Sequence, residues 1–484
     1  LWDFSCKTDS LDTLPTEWDA ASIKVPSPFN VNSFSHGYPK KTAGEEFYVS
    51  GADFRLYPEY PLEWDNAKIG FYRRKFVVDK ESEGNRIFLH FDAVAYKSVY
   101  YVNGKKIAEE GEAFLPIEME ITDVVKFGEE NELLVGCQTA RASAYKDEND
   151  RDRTDLPEGS FWGGHIGGIW QDCWLVERAQ SYVDDVFAYA DVYKNNLHIE
   201  YKTVDAAGKK IRFSLSRHGA EDYKEMFTVA CDDQPVDWNY EGWNIELWEP
   251  ESPNLYDLKA EILDGDTAVD TQVTRIGFRT FHIKDKHFVL NGRPIRLKND
   301  SWHYMGYAIQ TEEYARAYFR MAKEANVNII RLHAMPYPAF FFDIADEMGM
   351  MMVSESAVWA SHCRFSYNPT FFENSKKHLR RLIVRDRNHP SVVMWSPENE
   401  CIPAFKVCGS KYIKDIEDLS EKLFSQTGLT PACKLTYLPA VSCIGLLIAG
   451  TGYMPNNDTF IKRYCYSIAT SEQTSLYSDE IICL

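Results

Sequence analysis

The sequence predicts three successive folding units: a jelly-roll β-sandwich, an immunoglobulin-like β-sandwich, and a (β/α)8 barrel that the residue count leaves incomplete. Three observations carry this. Apolar residues recur with period two over the first 180 or so residues, where helix-period stretches are scarce. A further stretch of about 95 residues repeats short strands at sandwich spacing. From Phe278 onward, apolar strands alternate with amphipathic helices, the pattern of a parallel sheet covered by helices in a (β/α)8 barrel or an open doubly wound sheet.

In the first unit, residues 1–180, Ile87, Leu89 and Phe91 alternate with Arg86, Phe88 and His90. Val99–Val102 runs into Asn103-Gly104 and out through Lys105–Ala108, a hairpin signal because both turn residues need φ > 0. Glu118–Ile121 and Leu133–Val135 continue the alternation. A glycine cluster, Phe161-Trp162-Gly163-Gly164-His165-Ile166-Gly167-Gly168-Ile169-Trp170, resembles a dinucleotide loop only loosely. No helix follows it, so it reads first as a tight loop packed by Trp162 and Trp170. In the second unit, residues 181–277, strands are predicted at Val183–Tyr189, Leu197–Val204, Ile211–Leu215 and Tyr256–Leu263. Trp248-Glu249-Pro250-Glu251-Ser252-Pro253 reads as a loop between two of them.

In the third unit, residues 278–428, strand one is placed at Ile295–Leu297. A helix over Thr311–Ala325 has Thr311 as N-cap and Glu312 and Glu313 in its first turn. Strands at Asn328–Leu332, Met350–Val353 and Val392–Trp395 alternate with helices at Ala339–Met348 (ended by Gly349), Phe371–Arg387 and Lys411–Gln426. Residues 429–484 form an atypical tail: no charge lies between Lys434 and Asp458, and Cys433, Cys443, Cys465 and Cys483 fall here. It reads as a buried second half of the barrel or as sequence foreign to the fold. From Leu290 to Leu484, slightly fewer residues remain than the roughly 200 at the low end for such a barrel.

Composition narrows the partners. The 484 residues carry 73 acidic against 53 basic side chains, a net charge of -20, which repels phosphate backbones and disfavours nucleic acid. No apolar run reaches a membrane span, and Leu1 opens on no signal-peptide pattern. The expectation is a soluble protein with the compartment open and room for a homo-oligomer. The 11 cysteines show no metal-ligand spacing and read as free, mostly buried thiols, so no metal or cofactor is expected. Aromatic residues, at 14%, include faces suited to sugar rings.

In an eight-stranded barrel the chemistry sits at the C-terminal ends of the strands. Those ends carry Asn299–His303, Arg331-Leu332-His333, Ser354-Glu355, and Ser396-Pro397-Glu398-Asn399-Glu400. A carboxylic acid at a dry strand end beside other acids has its pKa pushed up and can donate a proton near neutral pH, so Glu400 is the leading candidate. Asn399 beside it suits a hydroxyl contact.

These motifs resemble glycoside hydrolase family 2. Gly70-Phe71-Tyr72-Arg73-Arg74-Lys75-Phe76 is similar to the opening strand of its sugar-binding domain, and Gly167–Asp172 to that domain's closing motif. Leu247–Pro250 with Pro253–Tyr256 resembles its immunoglobulin-like domain. Gly277-Phe278-Arg279 and Leu290–Pro294 resemble its approach to the barrel, and Arg387–Val392 with Trp395–Glu400 its acid/base strand. The resemblance implies Glu400 as acid/base, Asn399 at the sugar 2-hydroxyl, Arg331 steadying the catalytic carboxylates, Glu355 at the strand-three acidic position, and His303 and His333 touching hydroxyls. It requires a second Glu as nucleophile, for which Glu480 is the match, in surroundings that depart from the family pattern. The implied activity is a retaining exo-β-glycosidase acting on terminal β-galactoside or β-glucuronide units of a glycoside or oligosaccharide. The alternatives are a carbohydrate-binding member without catalysis and a multidomain adhesin whose β-domains act alone.

Overall fold

The computed structural model describes residues 1–30, 60–150, 152–159, 166–285, 287–303, 311–358, 369–396 and 399. The helix predicted over 411–426, the tail over 429–484, Trp162, Glu400 and Glu480 lie outside them.

The first unit is a two-sheet sandwich. One sheet runs Ser22–Ile23, Trp2–Ser5, Ile69–Val77, Glu130–Gln138, Lys97–Val102, Lys105–Gly111; the other runs Cys173–Arg178, Arg86–Phe91, Ile117–Glu120. Asn103 and Gly104 take φ 52° and 79°, so the hairpin closes with both turn residues left-handed, as the dipeptide predicts. The inward set of the alternating strands, with Phe4, Tyr72, Leu89, Phe91, Tyr100 and Val135, fills the core. Gly167 and Gly168 sit tightly for a packing reason: a side chain on Gly167 would strike Thr139 and Phe29, and one on Gly168 would strike Tyr72.

The second unit packs a three-stranded sheet (Tyr182–Asp191, Asn196–Val204, Val236–Asn239) on a four-stranded one (Lys224–Ala230, Lys210–Arg217, Tyr256–Asp264, Thr267–Ile276). All ladders are antiparallel. Val186, Ile199, Phe213, Leu258 and Phe278 lie between the sheets, which is the immunoglobulin-like arrangement. The stretch Trp248–Pro253 is a short hairpin, pairing Trp248 with Pro253 and Glu249 with Ser252.

The third unit is a parallel sheet in the order β1 (Asn299–His303), β2 (Ile329–His333), β3 (Met351–Glu355), β4 (Val392–Ser396), with helices α1 (Glu312–Glu324), α2 (Phe340–Met348) and α3 (Pro369–Asp386). Thr311 caps α1 by accepting the Tyr314 N–H, and Gly349 ends α2 with φ 68°. Ile330 and Leu332 face the helices, packing with Phe319, Phe341, Leu382 and Ile383; Ile329, Arg331 and His333 therefore face the other way, into the barrel.

One expectation is corrected. The first barrel strand is not Ile295–Leu297 but Asn299–His303. Arg293–Ile295 instead pairs antiparallel with His287–Leu290 across Asn291-Gly292, both residues at positive φ, so Ile295 belongs to a hairpin beneath the barrel sheet and Leu297 follows that hairpin. Among the described residues Cys6, Cys137, Cys173 and Cys231 are free thiols, but only Cys137 is buried. No helix among them is long and apolar enough to cross a membrane.

Candidate active site

Four parallel strands end at the same side of the sheet. The register sets His303 beside His333, Arg331 beside Val353, and Glu355 beside Ser396. Alternation puts Arg331 and His333 on the interior face, where they point at whatever fills the barrel mouth. Arg331 is 1% exposed, Glu355 1%, Asn399 3% and His333 6%. Groups this polar stay buried only when their charges and hydrogen bonds are matched.

The match is a planar one. Arg331 Nε lies 2.5 Å from Glu355 Oε2 and its Nη2 lies 2.7 Å from Oε1, a bidentate fork. The same Nη2 donates to Asn399 Oδ1 at 2.6 Å. A guanidinium only donates, so the amide must turn its oxygen to the arginine and present its NH2 elsewhere. The Asn399 backbone N–H donates to the Val358 carbonyl at 2.8 Å, and Ser356 N–H donates to Ser396 O at 2.9 Å, which ties the segment after β3 to the segment after β4. Behind the strands, Ser354 Oγ donates to Asp386 Oδ2 at 2.9 Å, and Arg385 holds the same carboxylate.

Of the residues predicted for the site, the structure therefore brings Arg331, Glu355 and Asn399 into direct contact, with His333 on the same interior face. His303 is placed by its backbone beside His333. Glu400, the next residue after Asn399, and Glu480 lie outside the described residues.

Two groups escaped sequence reasoning. Glu112, 5% exposed, and His378, 2% exposed, meet across the boundary between the first unit and α3, with His378 Nδ1 2.9 Å from Glu112 Oε2. Burial alone would raise the Glu112 pKa; the His378 ring, the Phe114 N–H and Arg381 outweigh it and hold the carboxyl below its ordinary value. No local signal marks the pair, which is separated by 266 positions; only the spacing of Asn374, His378 and Arg381 along one helix face hints at it. The second group, Asp343, Asp346 and His389, offers three donor atoms within 4.8 Å of one another. Arg275 of the second unit already supplies the cation there: its guanidinium pairs with Asp343 and lies 3.7 Å from Asp346. That arrangement is an ion-pair joint, not a metal centre.

Three family models match the chain in succession: "Glycosyl hydrolases family 2, sugar binding domain" over residues 1–195, "Glycosyl hydrolases family 2" over 181–279, and "Glycosyl hydrolases family 2, TIM barrel domain" over 281–426. A β-galactosidase of Streptococcus thermophilus is 28% identical over 448 residues, covering 87% of this chain and 40% of the relative. A β-galactosidase of Thermoanaerobacter pseudethanolicus is 25% identical, covering 75% of this chain and 48% of the relative. Among solved structures, a Ruminococcus gnavus β-glucuronidase in complex with N1-substituted uronic isofagomine superposes with a TM-score of 0.66 at 20% identity, over 88% of this chain and 70% of that one. The chain spans less than half the length of either curated relative.

Proposed function

Because the chain belongs to glycoside hydrolase family 2, we propose that it acts as a retaining exo-β-glycosidase on terminal β-linked sugars of the galactoside or glucuronide type. The observation that carries the reading is the buried Arg331–Glu355–Asn399 contact at the strand ends, one residue before Glu400. β-Galactosidases and β-glucuronidases among the similar proteins support the substrate class.

In this reading Glu400 protonates the glycosidic oxygen as the aglycone leaves. A second carboxylate attacks the anomeric carbon from the opposite face, and Glu400 then takes the proton from the incoming water. Glu480 is assigned the nucleophile's part. Arg331 pins the Glu355 carboxyl and the Asn399 amide in place, and the Asn399 NH2 donates to the sugar 2-hydroxyl, a contact that strengthens as the ring flattens toward the oxocarbenium ion. His303 and His333 contact hydroxyls at the mouth.

An aryl β-glycoside panel tests this. Glu400→Gln is expected to lower turnover by about two to four orders of magnitude for poor leaving groups and far less for activated nitrophenyl groups, which need no proton. Glu480→Gln is expected to abolish both. Sugar binding without turnover in the parent chain would favour a carbohydrate-binding role. Unchanged turnover in Glu400→Gln would remove that residue from its part.

A further inference from the structure

The first unit does more than sit beside the barrel. Its strand Lys105–Gly111 leads into Glu112, whose Oε1 accepts the N–H groups of Ala113 and Phe114 at 2.9 and 3.0 Å. The carboxylate meets His378 Nδ1 on α3. The far ring nitrogen, Nε2, accepts the backbone N–H of Ala357 at 3.0 Å. A nitrogen that accepts an N–H carries no proton, so the proton of a neutral ring sits on Nδ1 and is donated to Glu112. The same residue is gripped through its following peptide, where Gly159 N–H of the first unit donates to Ala357 O at 2.8 Å.

Ala357 lies two residues after Glu355, and its neighbour Val358 accepts the Asn399 N–H. The contacts thus run from Glu112 through His378 to the 356–358 segment and on to Asn399. Every side chain in that series is buried, so water does not compete for any of its bonds. The surrounding interface is ordinary by contrast: Arg381 pairs with Glu110 at 3.0 Å with both side chains partly exposed.

We propose that Glu112 and His378 are positioning residues of the candidate active site, through which the first unit fixes the 356–358 segment and with it Asn399. The catalytic consequence rests on the glycosidase reading above; the positional one does not. The hydrogen bond of the carboxylate to the neutral ring is used here for direction, not for strength: Glu112 selects the ring tautomer that offers Nε2 to a single peptide N–H.

Two substitutions divide the ring's functions. In His378→Asn the amide reaches the place of Nδ1 and keeps Glu112, but nothing reaches Ala357. In His378→Gln the terminal amide reaches the place of Nε2 and keeps the Ala357 bond. Hydrogen exchange at the Ala357 and Asn399 amides of the full chain is expected to accelerate together in His378→Asn and to stay near the parent rate in His378→Gln. With an aryl β-glycoside, kcat per folded molecule is expected to fall about a hundredfold in His378→Asn, with KM changed little, and to recover most of that loss in His378→Gln. Asn374→Ala, which removes the contact with Asp155 O in the same interface, is expected to leave both readouts unchanged. Equal exchange rates in the His378→Asn and His378→Gln variants, or an Asn374→Ala effect as large as that of His378→Asn, would overturn the proposal. A parent chain that turns over no glycoside would defeat the glycosidase reading alone, since the exchange rates at Ala357 and Asn399 decide the positioning role without it.

Discussion

The barrel is held at two ends in different ways. At its mouth the first unit shares an apolar core with the barrel, in which Phe114, Leu115, Ile166 and Trp170 join Met335, Tyr337, Ala357 and Leu379, and adds a few polar contacts: Glu112 with His378, Asp155 O with Asn374 Nδ2 at 2.7 Å, and Gly159 with Ala357. At the starts of its strands the second unit and its following hairpins form a floor. There Trp248, Leu255, Phe281 and Leu290 pack against Ile329, Met351 and Val393. Trp248 Nε1 donates to Asp346 O at 2.9 Å, Arg279 donates to the carbonyls of Pro390 and Val392, and Asn388 bridges to Val186 and Ala188. Both ends bury apolar area; the floor adds side chains that satisfy main-chain groups, and the mouth adds a buried carboxylate–imidazole pair that aims a few atoms. The apolar area stabilises at both ends, and the polar contacts of the mouth set geometry.

That division can be broken in order of expected size. Arg331→Met takes the bidentate guanidinium away from the buried Glu355 carboxylate, which should cost about 3–5 kcal/mol and remove turnover even from the molecules that stay folded; denaturant melts and active-site titration separate the two losses. Trp248→Ala should cost a similar 3–5 kcal/mol, since it empties a fully buried site, yet leave kcat per folded molecule near the parent value. A fall in kcat as deep as that of Arg331→Met would erase the distinction between mouth and floor. Gly349→Ala forces a side chain into a φ of 68° and against the Pro250 carbonyl, and should cost about 1–3 kcal/mol, read as a lower Tm at unchanged KM. Thr311→Ala removes the α1 cap for about 1 kcal/mol.

The smallest effect depends on pH. Burial lowers the His389 pKa, but the Asp346 carboxylate, 2.6 Å away, together with Asp343 and Asp386, more than offsets this and leaves it raised above 6.5. A raised folded value means the contribution is complete below the unfolded pKa and fades as pH rises through the folded one. Tm should therefore decline on the alkaline side, and Asp346→Asn should flatten that slope. A parent slope that the variant keeps would remove His389 from the floor's electrostatics.

Much of the local structure was legible because its causes are local. Thr311, Gly349 and the Asn103-Gly104 turn announce themselves by the backbone geometry each residue supplies. Arg331, Glu355 and Asn399 were legible by another local fact, their place at the ends of apolar strands. What misled was a second Asn-Gly turn, at Asn291-Gly292, whose hairpin took Ile295 away from the barrel sheet. What stayed hidden was everything joining distant chain segments. Glu112 and His378 look like an ordinary strand-end acid and an ordinary helix histidine until the fold places one over the other. Trp248 looked like a loop residue because nothing nearby in sequence tells it where to go.

The seat of Trp248 carries a practical consequence for anyone dividing the chain. A cylinder excised at Phe278 would leave its indole behind with the middle unit, opening a wet hole under Ile329, Met351 and Val393 and an oily patch that invites clumping. Any transplant of the α/β portion into another scaffold should start upstream of Leu247, carrying the tryptophan as a stopper.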